Sequence, residues 1–232
     1  AVESMGLHAD MTAGLSLGEY CAIAVAGGMC DLDAIRTVRS RGIFMEHAAP
    51  EGSGAMSAVL GMDAAVIEDV LNGREGVSIA NYNCPGQIVI TGETAAVAEA
   101  GTALKEAGAR RVLPLKVSGP FHSPMMRPAG EELAKVFARV SMNPLKIPYV
   151  ANINAEVITD CGRIEGLLVE QVSGSVRWQQ SVETMIREGV DTFVEIGPGK
   201  TLTGFLRKID KNVKAYHIGS WEEAVQVCEE LK

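Results

Sequence analysis

The sequence predicts an α/β fold in two parts: a large part built on a parallel sheet around a nucleophile elbow, and a small inserted part of ferredoxin-like β-α-β-β-α-β order. Three observations carry this. The run Gly14-Leu15-Ser16-Leu17-Gly18 is a G-x-S-x-G turn, entered from a short apolar stretch and left by a nearly uncharged helical one. Residues 52–117 alternate short strand patterns and helical patterns in the split βαβ order. Beyond residue 118, apolar strand-like runs again alternate with amphipathic helical ones.

In chain order, residues 1–7 read as the tail of a helix with Gly6 near its C-cap, and 11–15 as the elbow strand. Such a strand sits centrally in a parallel sheet, so nothing earlier in the chain supplies its second neighbour, and the chain reads as truncated at its start. A side chain at Gly14 or Gly18 is expected to crowd the turn. The helix after Ser16 stops at Gly27-Gly28, and Asp31 is placed to cap a second helix over 32–48. Ile35, Val38, Ile43, Phe44 and Met45 give that helix an apolar side, with Arg36, Arg39 and Arg41 mostly on a polar one and His47 facing the C-terminal dipole.

The small part reads as strands at 54–61, 77–81, 87–91 and 111–117, with helices at 63–71, capped by Asp63, and 94–107. The N-C-P-G turn at 83–86 joins the middle strands. The large part resumes with the loop 118–128, a helix at 131–140, a strand at 147–152 and helices at 164–172 and 180–188. A strand at 192–195, the Gly197-Pro198-Gly199 turn, a helix at 201–209, a strand at 215–218 and a helix capped by Ser220 with Glu223 complete it. The G-P-G turn lacks the spacing of a nucleotide-binding loop and reads as a tight scaffold turn. The division is 1–51 with 118–232 for the large part and 52–117 for the small one.

With 29 acidic against 21 basic residues the formal charge is −8, a poor match to nucleic acid. No apolar run is long enough to span a membrane and no export signal is legible, so a cytoplasmic protein is expected. Five cysteines without a C-x-x-C pair suit a reducing compartment, and no histidine spacing suggests a metal site.

Ser16 is the candidate nucleophile, against the alternative of a glycine-rich packing turn. A serine hydroxyl needs a base, and His122, in the Pro/Gly-rich loop SGPFHSPMMRP, is the best placed histidine. A surface or capping histidine is the alternative reading. Helix α-amides opening after Ser16 would face charge developing on an attacked carbonyl.

Several segments together resemble the malonyl-CoA:acyl-carrier-protein transacylases. They are AGLSLGEYCAI, RSRGIFMEHA, GAMSAVLG, NYNCPGQIVITG, LKVSGPFHSPMMRPA, NINAEVI, LVEQVSGSVRW and FVEIGPGKTLTGFLRKI, and they cover essentially the whole chain in family order. The resemblance implies an α/β-hydrolase-like core with an inserted ferredoxin-like subdomain, and ping-pong transfer of a malonyl group from coenzyme A to the phosphopantetheine thiol of acyl carrier protein. Catalysis would rest on Ser16 and His122, with Arg41 pairing with the malonyl carboxylate and the Leu17 N–H as an oxyanion donor. The backbone carbonyl of Gln171 would orient His122, Leu15 and Asn83 would line the site, and neither metal nor cofactor would be needed. The residue before the nucleophile is commonly histidine in the family and is Leu15 here; the usual proline of P-V-R-W is Ser175. The family also carries about 75 residues ahead of this point, including a second oxyanion donor, so a chain lacking them is expected to be slowed roughly 100- to 1,000-fold.

An esterase or thioesterase with the same elbow, or a non-catalytic scaffold of the same fold, are the competing readings. The esterase needs a late histidine, for which only His217 is available, and leaves Arg41 without a role. The acidic carrier protein would dock on a local basic patch, with Lys116, Arg127, Arg207 and Lys208 as candidates on a monomer.

Overall fold

A computed structural model describes residues 2–231. The chain starts with a single 3-10 turn at Glu3–Met5, closed by Gly6 at φ 89°, where the sequence suggests a helix tail; the first residue of that tail lies outside the described ones. The elbow strand β1 is only Thr12–Ala13, and α1 spans Gly18–Val25. Helix α2 spans Asp31–His47 and is capped by Cys30, whose sulfur accepts from the Asp33 N–H at 3.4 Å, so Asp31 is inside the first turn and not the cap. His47 Nδ1 bonds the Ile43 carbonyl at 2.8 Å, within the last turn.

The small part comprises β2 (Gly54–Leu60), α3 (Ala64–Leu71), β3 (Val77–Cys84), β4 (Gln87–Glu93), α4 (Thr94–Glu106) and β5 (Arg111–Pro114). Its sheet has the order β3-β4-β2-β5 and is antiparallel throughout, the pairing that a split βαβ order produces. Alternating residues turn one face inward, where Val59, Ile79, Ile88 and Ile90 meet Ile67 of α3 and Leu104 of α4. Asp63 precedes α3 but makes no side-chain capping bond.

In the returning large part a 3-10 turn at Pro124–Met126 runs directly into α5 (Arg127–Phe137). This helix starts earlier than its apolar pattern suggests, because Pro128 falls in the first turn, where a missing N–H is harmless. The remaining elements are β6 (Tyr149–Val150), β7 (Val157–Ile158), α6 (Ile164–Ser173), α7 (Trp178–Arg187), β8 (Thr192–Ile196), α8 (Thr201–Ile209), β9 (Lys214–Ile218) and α9 (Trp221–Glu230). Parallel pairing joins β1 to β6 and β8 to β9, while β7, too short to be legible, adds antiparallel to β6. Tyr20, Ile23, Met126, Leu133, Phe137, Tyr149, Ile158 and Leu168 form the main core beneath the elbow.

Two seams hold the parts together. The Tyr82 N–H donates to the Val176 carbonyl at 2.9 Å and the Val176 N–H to the Ala80 carbonyl at 2.8 Å. Gly54 presses so close to Pro120 that a Cβ there would lie 2.3 Å from the ring, and Phe121 packs both on the main core and on Met56, Ala80 and Val89. The loop after β5 is therefore clamped between two cores. The G-P-G turn is filled from within: Glu195 accepts from the N–H groups of Leu202 (3.1 Å) and Thr203 (2.7 Å), occupying the N-terminus of α8 where an anion would otherwise bind. Ser220 caps α9 through the Glu223 N–H (3.2 Å), but the Glu223 carboxylate reaches Gly219 and not Ser220, so the capping box closes one residue early.

Candidate active site

Between β1 and α1 the chain reverses at Ser16, which sits at φ 54°, in the left-handed region. For a residue with a Cβ this conformation is unfavourable by roughly 1–2 kcal/mol and persists only where neighbours enforce it. Gly14 is one enforcer: a Cβ there would lie 2.0 Å from the Gly18 carbonyl carbon. Gly18 itself is different from expectation, since a Cβ there meets nothing within 4 Å. Only one of the two flanking glycines is required by contact: the Gly18 backbone fills the space beside Gly14, while a Cβ on Gly18 itself would point into open space.

The rest of the enforcement is polar and buried. The Ser16 N–H donates to Asn152 Oδ1 (2.6 Å), Asn152 Nδ2 donates to the Gly14 carbonyl (2.8 Å), and Gln171 Nε2 donates to the Ser16 carbonyl (2.9 Å). Glu19, fully buried in the first turn of α1, accepts from Gln171 Nε2 (2.6 Å) and the Asn152 N–H (3.2 Å) through Oε2. Burial pushes its carboxyl up to about 8, against the opposing hydrogen bonds and the Arg41 charge, so it is a neutral acid at pH 7.

His122 lies 5% exposed at the end of the clamped loop, also with a positive φ of 59°. Ser123, fully buried, fastens that turn by donating to the Pro120 carbonyl (2.7 Å). His122 Nδ1 bonds the Gln171 carbonyl at 2.9 Å and Nε2 bonds Ser16 Oγ at 2.8 Å. A carbonyl only accepts, so Nδ1 carries the proton and Nε2 is left to accept from the serine hydroxyl. Burial, then the nearby Arg41 charge, lower the His122 pKa to about 4, which keeps the ring neutral and able to take a proton.

Arg41 occupies the buried stripe of α2, Ala34, Thr37, Arg41 and Met45, while Ile35 and Ile43 face outward. The apolar side expected from the sequence is thus rotated, because the stripe facing the core also faces the serine and carries polar groups. Arg41 Nη2 donates to Ser16 Oγ (2.9 Å) and Gln171 Oε1 (3.2 Å), with the guanidinium over the Tyr20 ring at 5.7 Å. Burial draws its pKa down from the ordinary value.

His122 and Arg41 therefore converge on the Ser16 hydroxyl, and Gln171 holds both of them as well as the Ser16 carbonyl. The Leu17 N–H, at the start of α1, makes no hydrogen bond among the described residues and its side chain is half exposed. Leu15 turns its side chain into the cluster of Val176, Trp178 and Phe205, and Asn83 is buried on β3 with no bond to the four. His217 bonds the Gly197 carbonyl (3.0 Å) at the other sheet. Lys116, Arg127, Arg207 and Lys208 are all exposed. Sequence reasoning missed Glu19, Asn152 and the side-chain role of Gln171, whose only advance signal is polarity inside otherwise apolar stretches.

This arrangement can activate a hydroxyl, hold an anionic group and shelter a developing oxyanion. The acyl transferase domain family matches residues 1–227. The malonyl CoA-acyl carrier protein transacylase of Bacillus subtilis is 44% identical over 98% of this chain, and that of Escherichia coli 45% identical over 86%. The chain spans 73% of the first relative's length and 65% of the second's. A solved structure described as a type II polyketide synthase acyl-carrier protein in complex with its malonyl-transacylase is similar at TM-score 0.92 and 38% identity, over 98% of this chain and 75% of that chain.

Proposed function

This chain belongs to the acyl transferase domain family, among the malonyl CoA-acyl carrier protein transacylases, and on that premise we propose that it carries the site for moving a malonyl group from coenzyme A to the phosphopantetheine thiol of acyl carrier protein. The observation that carries the reading is the convergence of His122 Nε2 and Arg41 Nη2 on Ser16 Oγ, at 2.8 and 2.9 Å. A base on a serine makes a nucleophile; a guanidinium on the same serine selects an acyl group that brings its own carboxylate.

The steps follow from that geometry. Ser16 Oγ attacks the thioester carbonyl carbon while His122 Nε2 takes its proton, and the oxyanion forms against the Leu17 N–H at the start of α1. Collapse breaks the C–S bond, the leaving thiolate takes the proton from Nε2, and a malonyl-serine ester remains. The carrier thiol then gives its proton to Nε2 and attacks the ester carbonyl; the C–Oγ bond breaks, and Ser16 Oγ takes the proton back from Nε2. Burial is the larger cause of the lowered His122 pKa and the Arg41 charge the smaller one; pairing of the malonyl carboxylate with Arg41 removes the smaller, so the correct substrate strengthens its own base. The carboxyl that such triads usually supply is replaced by the Gln171 carbonyl, which orients the ring without adding charge.

The organisation proposed is a large catalytic part of residues 1–51 and 118–232, with 52–117 as an inserted unit. The protein works as a cytoplasmic monomer without metal or cofactor, and the exposed Lys116, Arg127, Arg207 and Lys208 meet the acidic carrier. Among the described residues no helix is long and apolar enough to cross a membrane. Replacing Arg41 by Ala tests the reading: malonyl preference over acetyl should fall by about 10- to 100-fold in kcat/KM, the worth of one desolvated charge pair. An unchanged preference would favour the esterase reading.

A further inference from the structure

Ser16 and His122 leave one buried carboxyl group unused. Glu19 is 0% exposed, lies three residues after the nucleophile, and its Oε2 gathers the two side-chain-bearing residues that shape the site from opposite sides. Asn152, held through its N–H, supplies the acceptor for the Ser16 N–H; Gln171, held through Nε2, supplies the carbonyl that orients His122 and the amide oxygen that receives Arg41. The second oxygen, Oε1, has no hydrogen-bond partner among the described residues. We propose that Glu19 is the positioning residue of this site: its carboxyl group ties Asn152 to Gln171, and through them fixes the Ser16 backbone, the His122 ring and the resting place of Arg41 as one unit.

The chemistry of the contacts sets the protonation state that the role needs. Both donors converge on Oε2, so Oε1 is free to carry a proton, and a neutral acid avoids an unpaired buried charge. The groups facing the carboxyl are Arg41 from α2, Tyr149 from β6 and the adjacent Tyr20 on α1; of these only Arg41 is charged at pH 7, and it favours ionisation without overcoming burial. Raising the pH past about 8 deprotonates Glu19 and places a buried anion between Asn152 and Gln171. The site should then loosen without loss of any residue that touches substrate.

This inference rests on the transacylase reading for its activity assay, but serine labelling separates the two. Parent, Glu19→Gln and Glu19→Ala chains are compared by malonyl transfer and by the rate at which a fluorophosphonate probe labels Ser16, from pH 6 to pH 9.5. Glu19→Ala should lower kcat and the labelling rate by about 100-fold, the effect of displacing reacting groups by about 1 Å, with KM changed less than about threefold. Glu19→Gln keeps one oxygen for both donors and should recover at least about tenfold of that loss. The parent should lose labelling above pH 8, and Glu19→Gln should not. A Glu19→Ala rate within about threefold of the parent, or a Glu19→Gln rate as low as that of Glu19→Ala, overturns the proposal. If Glu19→Ala does not fold, the pH profiles decide: the same alkaline decline in parent and Glu19→Gln overturns it. A parent that labels but transfers no malonyl group refutes the transacylase reading and leaves Glu19 tested by labelling alone; a parent that the probe does not label refutes both.

Discussion

The small sheet and the elbow solve the same backbone problem in opposite ways. Around the small sheet the chain turns through positive φ at Gly61, Gly73, Gly76, Gly86 and Gly92, where no Cβ is strained. At the site it does so at Ser16 and His122, both with side chains, and both are the residues proposed to move the proton. The interiors differ in the same sense. Val59, Ile67, Ile79, Ile88, Ile90 and Leu104 pack an apolar core, whereas Glu19, Arg41, His122, Asn152 and Gln171 are buried together beneath the serine. Positive-φ residues with side chains and buried polar groups gather around Ser16, and the glycine-turned unit joined to it is packed mainly with apolar side chains.

That contrast can be broken by substitution. Ser16→Ala should reduce malonyl transfer to background, and so should Ser16→Gly. The two should differ in stability, Ser16→Gly being about 1 kcal/mol the more stable in denaturant melts because glycine relieves the left-handed strain. Gly14→Ala comes next: its Cβ has no room against the Gly18 backbone, so transfer should drop by about 100-fold as the elbow shifts, with a lowered Tm. In the small sheet, Ile90→Ala should destabilise by about 2–5 kcal/mol while kcat per folded molecule stays within about threefold. A large kcat effect there would mean that the two regions are not separable.

A pH series sharpens the comparison further. His122 has its pKa lowered to about 4 from 6.5, so the acid limb of kcat/KM should lie near pH 4 and the rate should be flat from pH 7 to pH 5. The sign for stability is the same: the folded state resists protonation, so stability from this group is present above pH 6.5 and is lost as the pH falls through 4. Glu19 acts oppositely, its contribution being full below 4.5 and lost as the pH rises through 8. The smallest effect is expected of Gly18→Ala. With open space and a helical position it should leave transfer intact and raise stability by up to about 1 kcal/mol.

Much of the elbow and of the small unit is legible in the sequence. Ser16 is marked by glycines at fixed offsets and His122 by a loop that no helix or strand can absorb, so local chemistry announces both. The β-α-β-β-α-β unit is legible because alternation and turn residues are local signals as well. Arg41 is not legible from periodicity, since Ile35 and Ile43 pull the predicted apolar side of α2 away from the stripe that is buried; only the family resemblance singles it out. Glu19, Asn152 and the amide of Gln171 are invisible in the sequence for a related reason: a buried polar residue is satisfied by partners more than a hundred positions away, as Glu19 is by Asn152 at a separation of 133. The strand β7 escaped because two residues are too few to show a period.

The proposed transfer requires Ser16 to be a nucleophile that accepts a malonyl group. Incubating the chain with malonyl-CoA alone, quenching in acid and reading the intact mass and the peptide map tests this most directly. One malonyl group should appear on the peptide containing Ser16 and should be absent from Ser16→Ala. Equal labelling of Ser16→Ala, or a coenzyme A thiol released with no ester on the parent's Ser16, would contradict it.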